Sequence, residues 1–201
     1  MPAIKKVSRE DIIDAAVEVL REGGFSAVNA RSVAQKLGCS TQPIYFSFRN
    51  MSELKQALTD RAIEMHKKRV RDSLRACEGT DTRYSSYGMG FVRFAAEEKQ
   101  LFRWLYIDGG HTSPYKSDVL YDEIIDVIVE DFGYDRKTAE KFHRDMLYYS
   151  YGLAILANIG HLDLTDNELR EAFRREFRAL SSLYGKPPKS PEFAMKAELT
   201  L

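Results

Sequence analysis

Ala34, Gly38 and Ile44 are the three residues whose types and spacing could support a specific recognition chemistry. A small residue at 34 lets a second helix cross closely. A glycine four positions on takes the left-handed turn that ordinary residues resist. An aliphatic residue six further on pins the second helix to the first. This is the spacing of a helix-turn-helix, in which the N-terminal end of the second helix enters the major groove and the first helix braces the backbone. The two helices are expected at 30–37 and 40–48. Ser40 is expected to cap the second one, its Oγ accepting from the Gln42 amide, with the hydroxyl within reach of a phosphate. Pro43 falls in the first turn, where a missing N–H costs little. Thr41 and Gln42 then point outward. Glutamine can read adenine at two points, and threonine can meet a thymine methyl or a phosphate.

The elements that must position these residues read as helices throughout. Ser8 is an N-cap followed by Glu10 and Asp11, and Ile12, Ala15, Ala16, Val19 and Leu20 mark one helical face before Gly23-Gly24 stops it. Asn29 can cap the helix carrying Val33, Ala34 and Leu37, while Ile44, Tyr45 and Phe48 belong to the next. Further helical patterns cover 51–77, 82–98, 101–107, 117–132, 137–160 and 165–184, the last capped by Thr165 or Asp166. The stretch 108–116 is the strongest loop signal. The predicted organisation is all-α: a three-helix DNA-binding head over 1–50, a helical body over 51–185, and an extended tail over 186–201.

Composition is that of a globular chain, 44% hydrophobic and 30% charged. Net charge is zero, but residues 1–71 hold 13 Lys/Arg against 8 Asp/Glu, and the remainder is acidic by the same margin. A basic front fits a DNA-facing head. Cys39 and Cys77 form neither a metal-ligand spacing nor a disulfide framework, which points to a reducing, cytoplasmic setting. No apolar run approaches the ~20 residues needed to cross a bilayer. His66, His111, His143 and His161 show no metal spacing, and serine-hydrolase, phosphate-loop and dinucleotide motifs are absent from the sequence. No cofactor and no catalytic residue are expected.

Taken together, Ile12/Ile13, Ala15-Ala16, Leu20, Glu22, Gly24, Val33-Ala34, Gly38-Cys39-Ser40, Ile44-Tyr45, Phe48 and Leu54 resemble the N-terminal domain of TetR/AcrR-type regulators. The resemblance covers Arg9 to Leu54. It implies that Tyr45 contacts a DNA phosphate, and that Arg31, Thr41, Gln42 and Ser47 lie near bases or backbone. Two positions depart from the family pattern. Met51 stands where a phosphate-touching lysine is usual, which leaves Arg49 or Lys55 to replace it, and Pro43 stands for a threonine. The resemblance also implies a homodimer on a palindromic duplex, and makes 51–185 a helical ligand-binding and dimerisation domain whose last two long helices pack with those of the other copy as a four-helix bundle.

Aromatic residues crowd the body, either as an ordinary helical core or as the wall of a cavity for an apolar or cationic small molecule. The cavity reading names Tyr87, Phe91, Phe102, Tyr106, Met146 and Tyr149. Residues 139–160 carry two apolar stripes. Phe142, Met146, Tyr149, Leu153 and Leu156 can face the core, leaving Leu147, Tyr151, Ala154 and Asn158, with Phe173 and Phe177 of the last helix, for a dimer surface. The expected function is a repressor released from its operator by a small effector. The alternative is a DNA-binding module that is constitutive or controlled by a protein partner.

Overall fold

The computed structural model describes residues 7–76, 82–108, 120–185, 187 and 189. Among them the regular elements are helices: α1 Arg9–Gly23, α2 Ala30–Leu37, α3 Gln42–Ser47, α4 Met51–Arg75, α5 Arg83–Glu97, α6 Lys99–Tyr106, α7 Tyr121–Phe132, α8 Arg136–Asn158 and α9 Asp166–Tyr184, with a short 3-10 turn at Phe25–Ala27. Cys77, His111 and the rest of the expected loop over 109–116 lie outside the described residues. So does the tail, apart from Pro187 and Lys189.

Local chemistry sets most of the helix ends. Ser8 Oγ accepts from the Asp11 amide at 3.1 Å while Asp11 accepts from the Ser8 amide at 2.8 Å, a reciprocal cap that removes two orphan donors. Asn29 Oδ1 accepts from the Arg31 and Ser32 amides at the start of α2. Thr165, rather than Asp166, caps α9 by the same exchange with Glu168. Each such cap contributes about 1 kcal/mol. At the far end of α7, Gly133 takes φ 74°, the left-handed conformation that stops a helix.

The described chain forms two compact units. One runs to Met65 and takes in the described residues from Glu98 to Asp108; the other holds His66–Glu97 and the described residues from Leu120 onward. This differs from a boundary at residue 50: the first part of α4 and the whole of α6 go with the head. The reason is packing. Arg21 on α1 donates to both carboxylate oxygens of Glu98 at 2.9 and 2.5 Å. Trp104 of α6 stacks on Phe25 and donates Nε1–H to Thr59 Oγ1 at 2.9 Å.

The core of the head is Ile12, Ala16, Leu20, Val33, Ile44, Leu54 and Leu58, each nearly or fully excluded from solvent. Burying each of the valine, leucine and isoleucine side chains among them stabilises the fold by ~1.5–3 kcal/mol. The second unit is built on aromatic contacts: Phe177 meets Phe132 at 4.8 Å and Phe142 at 5.3 Å between ring centres. His143 is buried there, its Nδ1 paired with the Tyr84 hydroxyl at 3.0 Å. Among the described residues no helix is long and apolar enough to cross a membrane.

Candidate nucleic-acid interface

The turn between α2 and α3 has the geometry that the spacing of Ala34, Gly38 and Ile44 demands. Gly38 closes α2 at φ 66° and ψ 32°, the left-handed region, and its N–H meets the Gln35 carbonyl at 3.1 Å. The Cys39 amide reaches back to the Ala34 carbonyl at 3.0 Å, so the last turn of α2 is satisfied by the turn itself. Ala34 and Ile44 are buried, 3% and 1% exposed. α2 and α3 both pack against α1.

Helix α3 is six residues long and depends on its neighbours for its position. Arg9 supplies one fixture: its guanidinium donates to the Ser47 carbonyl at 2.6 Å, pairs with Glu53 at 3.2 Å and lies 3.9 Å over the Phe48 ring. Glu53 also accepts from the Arg49 amide at 2.9 Å. That hydrogen bond, with Arg9 added, holds the Glu53 carboxyl below the ordinary glutamate range. Asn50 Oδ1 accepts from the Glu53 amide, which starts α4 immediately after the exit from α3.

Capping of α3 differs from expectation. Thr41, not Ser40, occupies the cap, and no side chain caps the helix. The reason lies in Pro43 and in the backbone of Thr41. Pro43 removes the N–H that a cap side chain would often bond. Thr41 has φ −72° and ψ −12°, helical rather than extended, so the Ile44 amide bonds the Thr41 carbonyl at 3.1 Å instead. Ser40 is left exposed at the turn.

The outward face of α3 carries Gln42, Tyr45 and Phe46, preceded by Thr41, while Pro43 and Ser47 are half-buried at its edges. Tyr45 is 58% exposed and Phe46 81%. Gln42 and Phe46 are one turn apart and share a face. Phe46 is the residue that the sequence reading missed. The signal was present: six residues hold three apolar side chains after Pro43, more than one buried face of a short helix takes up. An open recess of about 920 Å³ runs beside this face, lined by Leu37, Ser40, Gln42, Pro43, Phe46 and Ser47 among others.

Charge placement singles out two cations. Lys36 pairs with Glu22, Arg21 with Glu18 and Glu98, and Arg61 with Glu10 and Asp14, which ties α4 to α1. Arg31 and Arg49 are exposed and make no salt bridge among the described residues. Lys55 instead sits 4.5 Å over the Phe25 ring, a cation–π contact inside the head.

In the second unit Tyr87, Phe91 and Met146 are buried, and Tyr149 is half-buried with its hydroxyl 3.4 Å from the Ala172 carbonyl. Phe102 and Tyr106 belong to the head unit, where they pack on each other at 5.0 Å. The expected dimer stripe is turned inward. Leu147, Ala154, Asn158, Phe173 and Phe177 are buried within their own unit, and Tyr151 is half-buried against Phe91 at 5.1 Å. Asn158 Nδ2 donates to the Ala95 carbonyl at 2.9 Å, so α5 covers that stripe. The apolar residues left exposed on α8 are Tyr148, Ile155 and Leu156, with Ile159 just past its end.

Residues 12–58 match the family model described as bacterial regulatory proteins, tetR family. Over 61 residues the chain is 36% identical to the class D tetracycline repressor of Escherichia coli, covering 30% of this chain and 28% of the repressor's length. A solved TetR-family member from Streptomyces coelicolor shares the fold with a TM-score of 0.62 at 15% identity, over 84% of this chain and 96% of its own. The multidrug binding protein EbrR, solved with imidazole, does so with a TM-score of 0.57 at 15% identity, over 84% and 93%. The similarity to the tetR family of bacterial regulatory proteins is thus carried by residues 12–58 of the head, and the described chain shares its fold with solved members of that family.

Proposed function

We propose that the chain is a cytoplasmic transcriptional regulator that binds a palindromic duplex as a homodimer and is released from it by a small, largely apolar effector. The observation that carries this reading is a buried Ala34 and Ile44 flanking a left-handed Gly38, with Gln42, Tyr45 and Phe46 turned outward on α3. Gln42 and Phe46, both exposed on α3, would then read a base edge and lie against a thymine methyl, respectively. Arg31, Arg49 and the Tyr45 hydroxyl meet phosphates, with Ser40, Thr41 and Ser47 at the margins. Lys55, engaged over Phe25, is the weaker of the two substitutes for the lysine that Met51 replaces.

Fluorescence anisotropy on a selected duplex, read across a salt titration, tests the assignment. Tyr45→Ala should weaken binding to all sequences alike. Phe46→Ala and Gln42→Ala should each cost about 1–3 kcal/mol and relax preference at one position. Phe46→Ala leaves folding intact because the ring touches solvent. An unchanged sequence profile in both variants would sink the base-reading roles.

One recognition helix covers too few base pairs alone, so pairing supplies the second half-site. The face for it is Tyr148, Gly152, Ile155 and Ile159, which repeat at i, i+4, i+7 and i+11, with Leu156 beside them. Leu183 of α9, 70% exposed, adds to the exposed apolar surface. A Cβ added at Gly152 would meet nothing within 4 Å in its own chain, so a partner helix can come close there. Leu156→Asp is expected to convert a dimer to a monomer in sedimentation without lowering the stability of the head. A variant that stays dimeric places the interface elsewhere.

A repressor named for tetracycline shares the head, and a multidrug-binding protein shares the fold, which supports control by a small molecule. A constitutive or protein-controlled module is the second reading. It is favoured by the burial of Tyr87, Phe91 and Met146, which behave as core. A ligand panel read by thermal shift separates the two, since a true effector raises the melting temperature with concentration.

A further inference from the structure

We infer that the cleft between the start of α5 and helices α8 and α9 takes an amphipathic organic anion, a carboxylate on an apolar tail, with Arg178 and Arg174 holding the head group. This rests on the small-molecule control proposed above. The floor of the cleft is Tyr84, Met146, Phe173 and Phe177, all buried, and its lining also includes Arg174 and Arg178. The two arginines are one turn apart on α9 and therefore project side by side. Arg174 pairs with Glu171 at 2.6 Å, a carboxylate 58% exposed. Arg178 is half-buried and makes no salt bridge among the described residues. A half-buried guanidinium beside an apolar floor is complementary to a carboxylate, which it can grip through two parallel N–H donors. The first turn of α5 holds no acidic side chain, so nothing there offsets that positive edge. A cationic guest would face Arg178, which has no carboxylate partner among the described residues, while Arg174 is already paired with Glu171. The aromatic body alone suggested an apolar or cationic effector; the edge of the cleft favours an anion.

The cleft encloses about 20 Å³, roughly the room of one water molecule. Binding of an apolar tail therefore requires the floor to open, and Met146, unbranched and adaptable, is the side chain best able to give way. The floor is otherwise set: Phe173 lies where a Cβ on Gly88 would approach its ring to 2.7 Å, so α5 and α9 are in close contact at that point.

The test compares three guests of one chain length, dodecanoate, dodecanol and dodecyltrimethylammonium, each below its micelle concentration, against the full chain by calorimetry. Dodecanoate should bind more tightly than the other two. Arg178→Gln should weaken dodecanoate by about tenfold or more, the loss expected for one charge-assisted pair, and leave dodecanol unchanged; Arg178→Lys should keep part of the affinity. Equal or tighter binding of the ammonium, no binding of dodecanoate, or an unaltered Arg178→Gln variant overturns the proposal. Melting curves of both variants verify that they fold. Anisotropy on duplex DNA keeps the two ideas apart. DNA binding without dodecanoate binding refutes the anion site and leaves the DNA reading standing. Dodecanoate bound without release of DNA upholds the site and refutes control by it.

Discussion

Ile44→Ala should destabilise the head by roughly 2–4 kcal/mol and remove its salt-sensitive binding to duplex DNA. Helix α3 is too short to hold its own shape in water, and Ile44 is its one buried side chain. Truncation leaves a cavity where Ile44 was and releases the helix that presents Gln42, Tyr45 and Phe46. The remaining fixtures, Arg9 on the Ser47 carbonyl and the buried Phe48, act only at its C-terminal end. Ile44→Val, which keeps the branched shape, should cost about 0.5–1.5 kcal/mol and retain DNA binding. Trp104 is the only tryptophan in the sequence and lies in the head unit, so urea melts followed by its fluorescence report this unit. An unchanged midpoint together with unchanged DNA affinity in Ile44→Ala would refute the anchoring role.

Gly38→Val should lower stability by about 1–2 kcal/mol and weaken DNA binding by repositioning α3. The cost is in the backbone alone. A Cβ built on Gly38 meets nothing within 4 Å, so no clash contributes. What valine cannot do cheaply is hold φ 66°. Asparagine tolerates that region, so Gly38→Asn should stay close to the parent in both the melt and the anisotropy titration. If valine and asparagine behaved alike, conformation at this turn would not be what positions α3.

Much of the head was legible in its sequence because its determinants are local. Ser8 and Asp11, and Asn29 and Ser32, each cap a helix within four residues of chain, as Thr165 and Glu168 do in the second unit, and the pattern carries that information directly. Gly38 was legible for the same reason. The cap of α3 was not, because Pro43 and the helical backbone of Thr41 act together, and neither alone reveals the outcome.

In the body the periodicity located the helices and their two apolar stripes. It did not say which stripe the chain covers with its own residues. On α8 the stripe expected at a dimer surface, Leu147, Ala154 and Asn158, is buried, whereas the exposed Tyr148 and Ile155, with Ile159 just past the helix, belong to neither expected stripe. The expected stripe is buried because α5 lies against it, with Asn158 bonded to the Ala95 carbonyl. The same holds for Lys55, whose neighbour Phe25 is thirty positions away in the chain.

Helix identity, caps and the left-handed turn followed from residues near one another in the chain, because backbone hydrogen bonds and steric limits act over a few positions. The choice of buried stripe, the docking of α6 on the head and the joining of Arg178 to an aromatic floor were decided by tertiary packing. Those contacts bring together side chains tens of residues apart, and a periodic pattern states that a face is apolar without naming the surface that covers it.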